Sequence, residues 1–200
     1  MNPKNSQYHL LISSSRNPSR TVRTLMRDLH TVLPRSRRIN RGKLSLEDLA
    51  SFALEIGARY VMLVNRWKGG PGKLEFYEPT PRGLKLLPPL IYLRGVRLQR
   101  QYPVMWRKLR IRPRKLFTVK PLGEDATRIA EALSVFFGSQ GWVEAPESPE
   151  KGLIYLEVLE AEGSFRITFY SSINGEPQEI GPSIKLRHVI WSVEKPAGGS

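Results

Sequence analysis

From Val22 to Leu33, apolar residues fall at Val22, Leu25, Met26, Leu29, Val32 and Leu33, the three- and four-residue spacing of one helix face. Asn17 followed by Pro18 offers an N-cap and a first helical residue, and Pro34 closes the segment. Residues 8–14 before it read as a short buried strand, and residues 36–40 after it as a second. Ser45 and Asp48 have capping-box spacing, predicting a second helix with Leu46, Leu49, Ala50, Ala53 and Ile56 on its apolar face and Gly57 as its stop. Residues 60–64 and the alternating residues 73–77 then predict a hairpin, joined through KGGPGK as a mobile loop. Residues 84–93 are a further apolar stretch, in which Pro88 and Pro89 predict an edge position or a bend.

The same order of elements restarts in the second half. A strand at residues 116–120 precedes an amphipathic helix around Ile129, Leu133, Phe136 and Phe137, ended by Gly138, and residues 153–159, 165–170 and 184–193 predict three more strands. The fold class expected is α/β (α+β): two similar halves, each a small sheet with packed helices. No residue-level repeat links them, so the similarity rests on element order. Residues 196–200, PAGGS, predict a frayed tail.

Charge adds a direction to this pattern. Residues 1–120 hold 26 Lys and Arg against 6 Asp and Glu, net +20, whereas residues 121–200 hold 6 against 12, net −6. This predicts a basic N-terminal half, residues 1–115, facing a polyanion such as nucleic acid, and an acidic C-terminal half, residues 116–195. Arg outnumbers Lys 21 to 11, which favours paired hydrogen bonds to phosphate. The chain has no Cys and three scattered His, so disulfides and Cys-based zinc sites are excluded and no metal or cofactor is expected. Neither a secretory leader nor a membrane-spanning apolar run is evident, which predicts a soluble, intracellular protein without a membrane partner.

Catalytic patterns fail on spacing. A P-loop needs Gly five residues before its Gly-Lys pair and Ser or Thr after the Lys; Gly72-Lys73 has Trp67 and Leu74 there, and Gly42-Lys43 has Arg37 and Leu44. Ser13, Ser14 and Ser15 lack a nucleophile elbow, and Glu144, Glu147 and Glu150 read as a solvated acidic linker. No enzymatic activity is expected. Trp67 and Trp106, flanked by Arg66, Lys68, Arg107 and Lys108, are candidates for base stacking or for buried packing, whereas Trp142 and Trp191 sit in core-like contexts.

The basic residues cluster more tightly than solubility requires. Arg16, Arg20, Arg23 and Arg27 are spaced to form a ridge along the first helix. Arg35, Arg37, Arg38, Arg41 and Lys43 surround the Asn40 and Gly42 turn, where backbone amides can approach phosphate. From Arg94 to Lys115 come nine basic residues and no acid, including Arg97, Arg100, Arg107, Lys108, Arg110, Arg112, Arg114 and Lys115. In an extended chain Arg110, Arg112 and Arg114 share one face.

The segment SSSRNPSRTVRTLMRDLHTVLPRSRRINRGKLSLEDL resembles the opening of a Brix domain, the family of ribosome-biogenesis proteins. The family's Ser-Arg-x-Pro-Ser turn, Pro-Ser step and Asn-Arg-Gly turn are matched at residues 15–19, 34–36 and 40–42, and its late Ile-Gly-Pro motif at Ile180, Gly181 and Pro182, with Leu186 following. The resemblance implies a single Brix domain over residues 1–200, with two halves each similar to an anticodon-binding domain. It also implies an archaeal factor, cytoplasmic where eukaryotic relatives are nucleolar, that binds ribosomal RNA or its precursor and assists its processing or folding. It is most similar to the small-subunit branch, with proteins of the pre-ribosomal particle as further partners. A resident structural protein of the mature ribosome is the alternative. One departure stands out: the family often carries a basic residue after Gly-Pro, and here that residue is Ser183.

Overall fold

The first strand, β1 (Leu10–Ser14), is buried at every residue. It feeds α1 (Arg20–Val32), which buries Val22, Leu25, Met26, Leu29 and Val32 as the periodicity requires. The computed structural model describes residues 8–103, 106–109, 112–145, 152–161 and 163–192. The expected cap moves by two residues: Ser19, not Asn17, accepts the Val22 N–H at 3.3 Å. Asn17 instead takes a left-handed conformation, φ +54°, at the reversal from strand to helix, a conformation that its short polar side chain tolerates. At the other end the Pro34 to Ser36 step is a stop, in which the Ser36 hydroxyl donates to the Leu33 carbonyl at 2.7 Å.

The rest follows the predicted order with changed limits. β2 (Ser36–Arg38) is shorter than expected, and α2 (Leu46–Glu55) starts in the expected Ser45–Asp48 capping box. β3 (Tyr60–Trp67) and β4 (Gly70–Thr80) form the hairpin. KGGPGK is not a mobile loop. Lys68 and Gly69, at φ +44° and +85°, make a two-residue turn, and Gly70 to Lys73 already lie in β4. β5 (Gly83–Arg97) is central rather than an edge, with β4 on one side. Its prolines are accommodated because neither neighbour pairs with them. The β4 register jumps from Phe76 opposite Leu87 to Leu74 opposite Ile91, and pairing on the other side ends at Leu90.

A linker with two short 3-10 turns leads to β6 (Lys115–Val119), α3 (Glu124–Phe137), β7 (Trp142–Val143), β8 (Leu153–Ala161), β9 (Ser164–Ile173), β10 (Glu176–Glu179) and β11 (Ser183–Ile190). Gly138 ends α3 in the left-handed conformation, φ +72°. β7 and β10 were not expected from sequence. All the described strands join one sheet in the order β2-β1-β3-β4-β5-β11-β9-β8-β6-β7, with β10 paired to β9. β1–α1–β2 and β6–α3–β7 are both crossovers between adjacent parallel strands, and antiparallel pairing of β5 with β11 closes the middle.

Strand alternation decides which helix covers which face. Leu10, Ile12, Met62 and Val64 pack with the apolar sides of α1 and α3, while Leu11, Val61 and Leu63 pack with Leu49 and Ala53 of α2. The first core is continuous across the sheet from β1 to β6. Phe136 of α3 stacks on Phe76 of β4, with ring centroids 4.2 Å apart and planes 8° from parallel. Fully burying side chains of this kind contributes roughly 1.5–3 kcal/mol each.

The linker after β5 is stapled to α1. Gln99 donates its backbone N–H to buried Asp28 at 3.0 Å and its side-chain amide to the Gly181 carbonyl at 3.1 Å. The Trp106 indole donates to the Thr31 carbonyl at 3.0 Å and is only 1% exposed, so of the two stacking candidates Trp106 is a core residue. Trp142 departs the other way: it is 41% exposed because its two-residue strand lies at the sheet margin. Trp191 packs against the core beneath the Arg128 guanidinium, 4.1 Å from its ring. Of the acidic linker, Glu144 is paired with Lys120, while Glu147 and Glu150 lie outside the described residues, as do Val193 and residues 196–200.

Candidate nucleic-acid interface

The ridge exists as the helix period dictates. Arg20, Arg23 and Arg27 are all exposed on α1, and Arg16 is exposed on the turn before it. Arg23 is steadied by donating to the Pro18 carbonyl at 2.8 Å, and Arg27 lies 3.9 Å from the Asp28 carboxylate. From Arg20 to Arg27 the ridge rises about 10 Å along α1, two turns of the helix.

At the far end of α1 the ridge meets β2. Among the described residues this strand is the last of the sheet and pairs only with β1, and it carries exposed Arg37 and half-buried Arg38. His30 ties the two elements together, its Nδ1 2.9 Å from the Ser36 hydroxyl. Burial first, and then the neighbouring Arg38 and Arg37, hold its pKa below the usual imidazole value. Cations on an edge strand also discourage edge-to-edge pairing, so β2 has a structural use for its charge.

Beyond β2 the turn is pinned by side chains but open at its centre. Arg38 donates to the Asn40 side chain at 3.0 Å, and Arg41 to the Leu44 carbonyl at 3.0 Å. Gly42, at φ +55°, has open space where a side chain would stand, and Lys43 is exposed beside it. An approaching phosphate therefore meets bare backbone flanked by Arg41 and Lys43.

The later cations are less uniform. Arg35 and Arg114, far apart in sequence, line one hollow of about 230 Å³ with His9 and Gly138. Arg97 lies 4.1 Å over the Tyr102 ring and donates to the Gln101 carbonyl at 3.0 Å, so it is committed to the linker although exposed. Arg100, Arg112 and Lys115 are exposed. Arg110 and the side chains of Arg107 and Lys108 lie outside the described residues, so the shared face expected for Arg110, Arg112 and Arg114 falls partly outside them too.

The Ile-Gly-Pro motif is internal. Ile180, Gly181, Pro182 and Ser183 are buried, and a side chain at Gly181 would come within 2.4 Å of the Tyr102 ring. The stacking candidate Trp67, with Arg66 beside it, gains two neighbours that sequence does not join to it: Arg94 from β5 and Arg187 from β11 line hollows shared with Trp67 at the tip of the β3–β4 hairpin. No spacing rule links residues so far apart; only the β5–β11 register brings them together.

No family model matches the chain. Among curated proteins it is 33% identical over 136 residues to a probable Brix domain-containing ribosomal biogenesis protein of Thermococcus kodakarensis, and 37% identical over 92 residues to one of Pyrococcus horikoshii. The first match covers 66% of this chain and the second 46%; they span 64% and 41% of those relatives' own length. A relative of the same name from Aeropyrum pernix is 28% identical over 178 residues, covering 88% of this chain and 93% of the relative. The crystal structure of a probable ribosomal biogenesis protein from Aeropyrum pernix superposes with a TM-score of 0.70 at 24% identity, covering 90% of this chain and 95% of the other. The chain is a relative of the archaeal Brix-domain proteins. The crystal structure of an archaeal Imp4-like protein has the same fold, with a TM-score of 0.62 at 20% identity over 91% of this chain and 99% of the other. The mixed α/β sheet with its helices is thus the fold of these Brix relatives.

Proposed function

We propose that this protein acts in ribosome biogenesis as a non-enzymatic factor that binds ribosomal RNA or its precursor, and that it serves the small subunit. The observation carrying this reading is the set of solvent-facing cations at Arg16, along α1 at Arg20, Arg23 and Arg27, and at Arg37 and Arg38 before the open Gly42 turn. The relatives, described as probable Brix domain-containing ribosomal biogenesis proteins, supply the biological setting. In this reading the chain is one domain whose two halves meet at β5 and β11, with the ridge and the turn as the phosphate-binding core. Arg35, Arg112, Arg114 and Lys115 extend that surface, and Arg97 shapes its margin.

The direct test removes the ridge charge with Arg20→Gln, Arg23→Gln and Arg27→Gln together, and titrates a ribosomal RNA fragment at several salt concentrations. Each phosphate contact with a single strand contributes ~0.7 to the slope of log affinity against log salt, so the triple variant should bind more weakly and lose about 2 from that slope. An unchanged affinity and slope remove α1 from the interface. Crosslinking in cells decides the subunit: contacts in precursor small-subunit RNA are expected, and contacts confined to large-subunit RNA contradict that assignment.

A further inference from the structure

Trp67 is 64% exposed, far more than a tryptophan held for packing. It stands at the tip of the β3–β4 hairpin between two hollows, of about 690 Å³ and 510 Å³, and lines both together with Leu93 and Arg187. The first hollow adds Lys68 and Arg94, and the second adds Arg66, Lys73 and Tyr92. The indole is therefore surrounded by cations drawn from β3, β4, β5 and β11.

Two features hold this arrangement in place and keep it accessible. At its base, Gly72 allows the β4 backbone against Trp67: a side chain there would lie 2.1 Å from the tryptophan Cβ. At its rim, Gly70, Gly95 and Gly163 line the larger hollow, each with open space where a Cβ would be. The second hollow has an aromatic wall, in which Tyr92 stacks on His188 at 4.2 Å with Lys73 5.5 Å from the Tyr92 ring.

The hairpin tip also joins the basic ridge. The Arg66 N–H donates to the Ser15 hydroxyl at 3.3 Å, and its guanidinium to the Asn17 carbonyl at 3.4 Å, which places Trp67 beside the turn that starts α1. A polyanion lying on the ridge thus runs directly towards an exposed indole. Paired bases keep their faces stacked inside the helix, whereas an unpaired base offers its face to an aromatic side chain.

We infer that Trp67 is a stacking platform for an unpaired base, and that the hollows beside it hold single-stranded RNA, with Arg66, Arg94 and Arg187 taking the flanking phosphates. This rests on the proposed RNA-binding role and names the kind of RNA recognised. The variants Trp67→Ala and Trp67→Phe change an exposed side chain, and unchanged circular dichroism and melting should verify their folding. Affinity is measured for a single-stranded oligouridylate and for an RNA duplex of the same length, alongside tryptophan fluorescence.

Trp67→Ala should weaken single-strand binding about tenfold and leave duplex binding unchanged. Trp67→Phe should retain most of the affinity while losing the fluorescence quenching that oligouridylate causes in the wild type. Equal losses for both RNAs, or no loss for either, overturn the inference. If the wild type binds RNA with the expected salt slope and Trp67→Ala matches it, this inference alone fails and the exposed indole is left for a protein partner. If the wild type binds neither RNA, the basic-surface reading fails with it.

Discussion

Gly181 shows how one position can be demanded by packing and backbone together. Its φ of +59° lies in the left-handed region, and the Tyr102 ring occupies the place of a side chain. Gly181→Ala should therefore cost at least about 2 kcal/mol, read as a lower urea midpoint with little change in slope. Ser183, two residues on, is buried, so the position after Gly-Pro serves packing in this chain. The motif was legible in the sequence but its purpose was not, because Tyr102 lies in a linker with no periodic pattern. Trp67 and Trp106 make the same point: both are flanked by Arg and Lys, yet one is exposed and the other buried. Flanking charge does not report burial; the Trp106 bond to Thr31 does.

At the scale of elements, the long helices were readable because α1 and α3 repeat their apolar residues at 3.6-residue spacing, a signal that survives local irregularities. Their limits depended on single residues. Asn17 could cap or reverse, and only its position beside Arg66 of β3 decides for reversal. β7 and β10 are too short for alternation to register, and KGGPGK hid a tight turn because either Gly69 or Gly70 could supply positive φ. The junction of α1 with β2 carries its own pH dependence. His30 has a lowered pKa in the fold, so its contribution is intact above about pH 6.5, the unfolded value. As pH falls below that, the unfolded chain takes up a proton first and stability is lost down through the folded value. Thermal melts between pH 7 and pH 5 should fall with acidity, and less steeply in His30→Gln. Parallel curves would assign the loss elsewhere, with His9, also lowered by burial, the next candidate.

Across the whole molecule the apolar core ignores the charge boundary. The first half is strongly basic and the second acidic, yet Phe136 from the second stacks on Phe76 from the first. Phe136→Ala should cost about 3–5 kcal/mol and leave a single unfolding transition, detected identically by fluorescence and circular dichroism. Two separated transitions would mean that the halves unfold independently. Composition alone divides the chain near residue 115, whereas packing does not. The two sequence signals answer different questions: charge tells where cations gather along the chain, and periodicity tells which residues meet each other.

The seam of β5 with β11 has a temporal side. β5 is 15 residues long and emerges from the translating ribosome well before its β11 partner, so it must wait with one hydrogen-bonding edge open. Arg94 and Arg187 cannot face the same hollow until that edge closes. The nascent chain therefore acquires its basic helix early and its full hairpin-side cleft only when β11 has been made, which ties the shape of that cleft to the synthesis of a strand about 90 residues further along.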